Sequence, residues 1–248
     1  MAPLAAKGPV LVHFFDFAQL NSVRAMPYLV EWRRRYADRG LSVLGVHLAR
    51  YPFTDDSAAI ESALGPLKID WPVARDSDQG IRRDYGAQGW PSLFLWSRGG
   101  ALRWYHLGEG EYAATEEAIR EALAEGDDGA DVLSLPPLME PLRPSDAPGA
   151  GVAVPTEEWA PSSRGPWRAA EGDESLELEY EAGGAYVTAE GSGVVRLWLD
   201  ERPLDPVTIE RSGLHPLIEH ERHERHSLAL EPSGDLAVHS VQFAPAPP

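Results

Sequence analysis

The sequence of 248 residues contains no cysteine. Without a cysteine thiol the chain cannot form a disulfide, a thiolate metal site or a dithiol reaction centre. No apolar stretch reaches the roughly 18 residues that a membrane-spanning helix requires. The apolar run after Lys7 contains His13, ends at Asp16 and lacks a small-residue cleavage site, so it does not read as a signal peptide. These absences predict a cytoplasmic protein that does not bind membranes.

Positive charge is also scarce. The chain has 22 basic against 39 acidic residues, a formal net charge of −17. Because phosphate contacts need clustered lysine and arginine, this balance excludes nucleic acid as a partner. The acidic excess is uneven, with 14 basic and 16 acidic residues in 1–126 but 8 and 23 in 127–248. Length and charge together predict a globular protein of two unequal domains.

The first half of the sequence alternates strand and helix patterns. The apolar runs Val10–Phe15 and Leu41–Leu48 predict buried strands, with a helix between them that Asn21 or Ser22 caps and Gly40 ends. The remaining signals predict helices at about 55–65, 76–85 and 112–124 and strands at 71–74, 92–96 and 101–107. This order predicts an α/β domain, a mixed sheet with helices on both faces.

The second half has a different pattern. Residues 131–166 contain eight prolines, which predict an extended connector without regular helix. Beyond it, short alternating segments separated by glycine-rich turns predict a small antiparallel β-sandwich, with strands at 176–180, 184–189, 194–200, 206–209, 227–230 and 236–243. The predicted domains are therefore 1–127, a connector at 128–160, and 161–248.

Several short motifs, in this order and spacing, resemble the thioredoxin-like superfamily. They are Val10-Leu11-Val12-His13-Phe14-Phe15-Asp16-Phe17, Arg24-Ala25-Met26-Pro27-Tyr28-Leu29, Gly45-Val46-His47, Asp70-Trp71-Pro72-Val73, Gly89-Trp90-Pro91 and Gly108-Glu109-Gly110-Glu111-Tyr112. The resemblance is to the TlpA and DipZ-like (redoxin) branch of thiol-disulfide oxidoreductases. The linker segments 146–150 and 155–158 resemble those of family members that carry a C-terminal jelly-roll domain. The resemblance therefore implies a thioredoxin-like fold followed by a jelly roll.

The resemblance also implies where the reactive residues should stand. In that family a Cys-x-x-Cys pair opens the first long helix, and the flanking motifs place it at Gln19-Leu20-Asn21-Ser22. The family's buried acid falls at His13, and its cis-proline matches Pro91. An amide and a hydroxyl have replaced the two thiols, so the resemblance implies a pseudoenzyme that keeps the groove and has lost the chemistry.

Three functions follow as hypotheses. The first is a non-catalytic binding or scaffold protein without a cofactor, in which Leu20, Asn21, Trp90 and Pro91 line a groove for a protein or peptide segment. The second is thiol-disulfide chemistry that relies on an external thiol such as glutathione. The third is carbohydrate binding through the C-terminal sandwich, which rests on fold analogy.

A histidine repeat is the other motif that suggests chemistry. His220, His223 and His226 recur every third residue, a spacing that would suit zinc or nickel on a helix. Arg222 and Arg225 lie within the same segment, and its position between predicted strands favours a solvated charged loop. We therefore predict that this segment binds no metal.

Overall fold

The computed structural model describes residues 2–126, 129–148, 150, 160, 165–168 and 175–247. These residues form two compact units, Met1–Leu142 and Arg143–Pro248. In the described part of the chain, no helix combines the length and the apolar character needed to cross a membrane. The linker segment Pro155-Thr156-Glu157-Glu158 lies outside the described residues, as does Gly149 of the segment 146–150.

The first unit is built on a five-stranded mixed sheet, as predicted. Its strands are β1 (Val10–Phe15), β2 (Ser42–His47), β3 (Val73–Arg75), β4 (Ser92–Trp96) and β5 (Leu102–Leu107). Their order is β3-β2-β1-β4-β5. Strands β1, β2 and β3 are parallel, β4 is antiparallel to β1, and β5 is antiparallel to β4. The helices are α1 (Ala2–Ala5), α2 (Leu20–Tyr36), α3 (Ser57–Leu64), α4 (Gly80–Tyr85), α5 (Tyr112–Ala124) and α6 (Gly129–Ser134).

Helices cover both faces of this sheet. Because side chains of a strand alternate between faces, Leu11 and Phe15 of β1 pack with Trp32 of α2 and Ile119 of α5. Val10, Val12 and Phe14 point to the other face, where the residues packed around them include members of α1 and α4. The central strand β1 is thus buried on both sides, which explains its uninterrupted apolar sequence.

Residues 131–142, which we call the strap, belong to the first unit. The prediction that the proline-rich stretch contains no regular helix is wrong at its start, because α6 includes residues 131–134 and the prolines begin only at Pro136. The strap then follows α2 and α5. Arg35 donates to the carbonyl of Pro136, and the carboxylate of Glu116 accepts from the Leu138 N–H at 2.9 Å.

The second unit is one antiparallel five-stranded sheet, which confirms the predicted all-β antiparallel character. Its strands are β6 (Leu176–Glu190), β7 (Gly193–Leu199), β8 (Arg202–Ile209), β9 (Gly213–Gly234) and β10 (Ala237–Ala244), in the order β10-β6-β9-β7-β8. The predicted segments 176–180 and 184–189 are both parts of β6, and the predicted segment 227–230 is part of the much longer β9. The jelly-roll assignment stays a prediction.

The long strands β6 and β9 share a break in register. Ala182 pairs with Glu224, but the pairing resumes at Gly184 with Glu219, so four residues of β9 are passed over for one of β6. Bulges of this kind bend a sheet. A single core contains side chains from both sides of the break, including Leu228 and Val187.

Candidate functional site at the amino end of α2

The turn between β1 and α2 is organised by a buried carboxylate. Asp16 directly follows β1, and its Oδ1 accepts the Ala18 N–H at 2.7 Å. Its Oδ2 accepts the Arg50 N–H at 2.6 Å and the Thr54 hydroxyl at 2.8 Å. Asp16 therefore fastens the start of α2 to the segment that follows β2, with its own acceptor capacity used by three donors.

Gln19 caps α2. Its side-chain Oε1 accepts the Ser22 N–H at 2.9 Å, which satisfies one of the unpaired amides of the first turn. The Ser22 hydroxyl oxygen in turn accepts the Asp16 N–H at 3.2 Å. The prediction that Asn21 or Ser22 caps this helix is wrong, because the long glutamine side chain bends back onto the turn, a use that sequence preferences do not suggest.

A cis peptide bond lies beside this turn. The bond between Trp90 and Pro91 is cis. Since Ser92 opens β4 and pairs with Phe14, Pro91 lies next to the end of β1, where the turn to α2 begins. The Trp90 indole N–H donates to the Leu48 carbonyl at 2.7 Å, which fixes the orientation of the ring.

The four predicted groove residues differ in exposure. Leu20 and Pro91 are buried, whereas Asn21 and Trp90 are half-buried. The guanidinium of Arg50 lies 5.9 Å from the centroid of the Trp90 ring, within the range of a cation–π contact. Only Asn21 and Trp90 of the predicted four therefore offer surface to a partner, with Leu20 and Pro91 beneath.

His13 lies on β1 within the core. Its ring stacks on Phe15 with centroids 5.3 Å apart. Neither ring nitrogen has a hydrogen-bond partner among the described residues. Burial lowers the pKa of His13 to about 3, so the imidazole is neutral at neutral pH. A neutral imidazole therefore occupies the position that the resemblance assigns to an acid.

His47 is a feature of this region that the sequence interpretation missed. It ends β2, pairs with Phe15, and places Nε2 4.0 Å from Asp16 Oδ1. Burial lowers the pKa of His47, and the nearby Asp16 carboxylate opposes that shift. The available signal was its position, because the carboxyl ends of neighbouring parallel strands meet at one edge of a sheet.

The histidine repeat lies in β9, so the loop prediction is wrong. Arg225 of this stretch lies 3.6 Å from Glu181 of β6, and residues 219–226 are exposed or half-buried. The rings of His220 and His226 stack at 4.2 Å with planes 24° apart, so their nitrogen lone pairs do not converge. His223 instead lies 3.8 Å from Glu181. Within the described ranges, no group of three histidine or carboxylate residues could hold a metal ion.

The sheet order, the helices on both faces and the cis bond before β4 define a class. The chain has a thioredoxin-like fold followed by an antiparallel sheet domain, and it contains no cysteine. No family model matches the chain.

Several known proteins have sequences similar to parts of this chain. Protein DipZ of Mycobacterium tuberculosis is 26% identical over an alignment 273 residues long, which covers 94% of this chain and 38% of DipZ. The chain thus spans well under half the length of that relative. Thiol-disulfide oxidoreductase YkuV of Bacillus subtilis is 27% identical over 122 residues, covering 49% of this chain and 82% of YkuV. Among solved structures, a thiol-disulfide isomerase from Corynebacterium glutamicum matches with a TM-score of 0.47 and 20% identity, over 51% of this chain and 87% of that one.

Proposed function

We propose that this protein is a non-catalytic member of the thioredoxin-like class that binds an extended protein or peptide segment. The observation that carries the proposal is the first turn of α2, where Gln19 and Ser22 stand three residues apart at the end of β1. Disulfide exchange requires a thiolate that attacks sulfur. Here one side chain caps the helix and the other accepts a backbone N–H, so both serve the structure of the turn.

The surface beside the turn supports a binding role. Trp90 is half-buried, its indole is anchored by a hydrogen bond to Leu48, and Pro91 lies beneath in the cis form. A rigid aromatic ring with an apolar face and a satisfied polar edge makes a large contact at low entropic cost. Asn21 adds an amide that can donate to, and accept from, the backbone of an extended segment.

Binding at this surface is tested with an array of short extended peptides of varied sequence. We expect the protein to select a subset, and Trp90→Ala to weaken the affinity for the best peptide about tenfold, the usual loss for an aromatic anchor. Tyr105→Ala is the matched control, because Tyr105 is an exposed aromatic residue on β5 of the same unit. Equal affinity of the Trp90 variant and the unaltered protein would argue against the proposal.

The absence of chemistry is tested separately. With dithiothreitol or glutathione as the reductant, the protein should not accelerate the reduction of insulin above the rate without protein. Turnover would favour the external-thiol hypothesis, as would a rise in melting temperature with glutathione. Carbohydrate binding by the second unit and a cytoplasmic location stay predictions.

A further inference from the structure

Four aromatic rings form a continuous stack at one end of the second unit's core. Phe243 of β10 lies 4.8 Å from Tyr180 of β6, Tyr180 lies 5.8 Å from His220, and His220 lies 4.2 Å from His226, measured between ring centroids. Tyr180 Oη is 2.6 Å from His220 Nε2. His226 Nδ1 is 2.8 Å from Asp200 Oδ2. Hydrogen bonds therefore hold both histidine rings in place.

The stack lies where β9 has lost its partner. Residues 220–223 have no paired residue on β6, because the register passes from Glu219 to Glu224. Because no residue of β6 is paired with this segment, side-chain contacts help to hold it. Among the described residues these are His220, bonded to Tyr180, and His223, which lies 3.8 Å from Glu181.

The two histidines stand in different electrostatic surroundings. His226 Nε2 lies 3.8 Å from a carboxylate oxygen of Glu224, and its Nδ1 is hydrogen-bonded to Asp200. The positive charge of Arg202 on β8 in turn lowers the pKa of Asp200, together with its hydrogen bonds to Ser227 and His226. No described carboxylate lies within 4.0 Å of His220, whose neighbours in the stack are Tyr180 and His226. A proton on His220 would therefore enter a half-buried aromatic stack without a carboxylate in direct contact.

The titration of these groups fits that geometry. Burial and the neighbouring His226 lower the pKa of His220, while the more distant Glu224 and Asp200 oppose the shift. Burial also raises the pKa of Tyr180, so the phenol keeps its proton and donates it to a neutral His220. A histidine with a lowered pKa stabilises the fold fully above its ordinary value of 6.5, and this stabilisation is lost as the pH falls.

We propose that the stack is an acid-sensitive latch on residues 219–224. At neutral pH, His220 Nε2 accepts the Tyr180 O–H and the segment is closed. A proton on that nitrogen removes the acceptor, leaves the Tyr180 hydroxyl without its partner, and sets a cation against the His226 ring. Residues 219–224, of which the middle four have no partner on β6, then separate from the sheet, while the paired parts of β9 on either side stay in place.

Hydrogen exchange of the whole protein at pH 7.5 and pH 5.5 tests the latch, after correction for the intrinsic exchange rate. We expect the protection of amides 219–224 to fall about tenfold at the lower pH, while amides 213–218 of the same strand keep theirs. This internal comparison needs no variant. Equal protection of residues 219–224 at the two pH values would overturn the proposal.

A pair of variants assigns the effect to one ring. His220→Phe keeps the stack but cannot take up a proton, so residues 219–224 should show the same protection at both pH values. His215→Phe is the matched control, since His215 lies on the paired part of β9 and is also a histidine whose pKa burial lowers. A pH response in the His220 variant as large as that of the unaltered protein would contradict the assignment.

Discussion

At the scale of single residues, the core of the first unit contains two imidazoles where apolar side chains would be expected. His13 and His47 are fully buried, and neither has a hydrogen-bond partner among the described residues. Burial lowers the pKa of both. Because the unfolded chain exposes these rings and binds protons more readily, the folded state loses stability as the pH falls.

His13 therefore makes the stability of the first unit depend on pH. Its contribution is complete above about pH 6.5 and is lost toward pH 3, with a slope of about 1.4 kcal/mol per pH unit for one proton. His13→Leu should flatten the slope for the first unit, leaving the smaller part due to His47. Hydrogen exchange of the β1 amides in urea between pH 7.5 and 4.5 measures this unit alone.

The control for this prediction is His106→Leu, which alters a half-buried histidine on β5. It should leave the slope as it is in the unaltered protein. If His13→Leu and the unaltered protein lost stability with the same slope, the buried neutral state of His13 would be disproved.

At the scale of elements, a buried carboxylate of α5 is one of the groups that hold the strap. Glu116 accepts the Tyr36 hydroxyl at 2.6 Å and the Leu138 N–H at 2.9 Å. It thus joins α2, α5 and the strap at one point. Removal of a shared acceptor is costly because it leaves buried donors without partners.

Glu116→Ala should lower the free energy of unfolding of the first unit by about 2–4 kcal/mol, since the buried Tyr36 hydroxyl and the half-buried Leu138 N–H lose their acceptor and some packing is lost. Urea denaturation measures the change. Glu117→Ala is the matched control, because Glu117 is the next residue of α5 and is exposed. It should change stability by less than about 0.5 kcal/mol. Equal losses in the two variants would show that the strap is not held in this way.

The elements also show what the sequence can predict. The bounds of β1, β4 and α5 follow from apolar runs and helix periodicity, because these elements bury continuous faces. The Gln19 cap was missed because glutamine seldom caps helices. The full extent of β9 was missed because its middle is polar and unpaired, so neither alternation nor burial marks it. Contacts between distant residues, such as Glu116 with the strap, leave no local signal.

At the scale of the whole molecule, the chain combines an α/β unit with a more strongly acidic all-β unit. Residues 1–142 carry 20 acidic and 14 basic residues, whereas 143–248 carry 19 and 8. The sequence predicted an α/β domain followed by an acidic all-β domain. It did not predict that residues 131–142 belong to the first unit, because proline content alone indicates a connector and the hydrogen bonds that hold the strap come from distant helices.

We propose that the first turn of α2 keeps the arrangement of a redox pair without its sulfur. The most direct measurement is disulfide formation in Gln19→Cys/Ser22→Cys, followed by mass spectrometry under mild oxidation. Ala114→Cys/Glu117→Cys has the same spacing and serves as the control. Both of its positions lie inside α5, where the Cβ atoms of residues i and i+3 are about 5–6 Å apart, whereas a disulfide needs about 3.5–4.5 Å. We predict a disulfide and insulin reduction in the first variant alone. A first variant that stays reduced, or a control that oxidises as readily, would contradict the account.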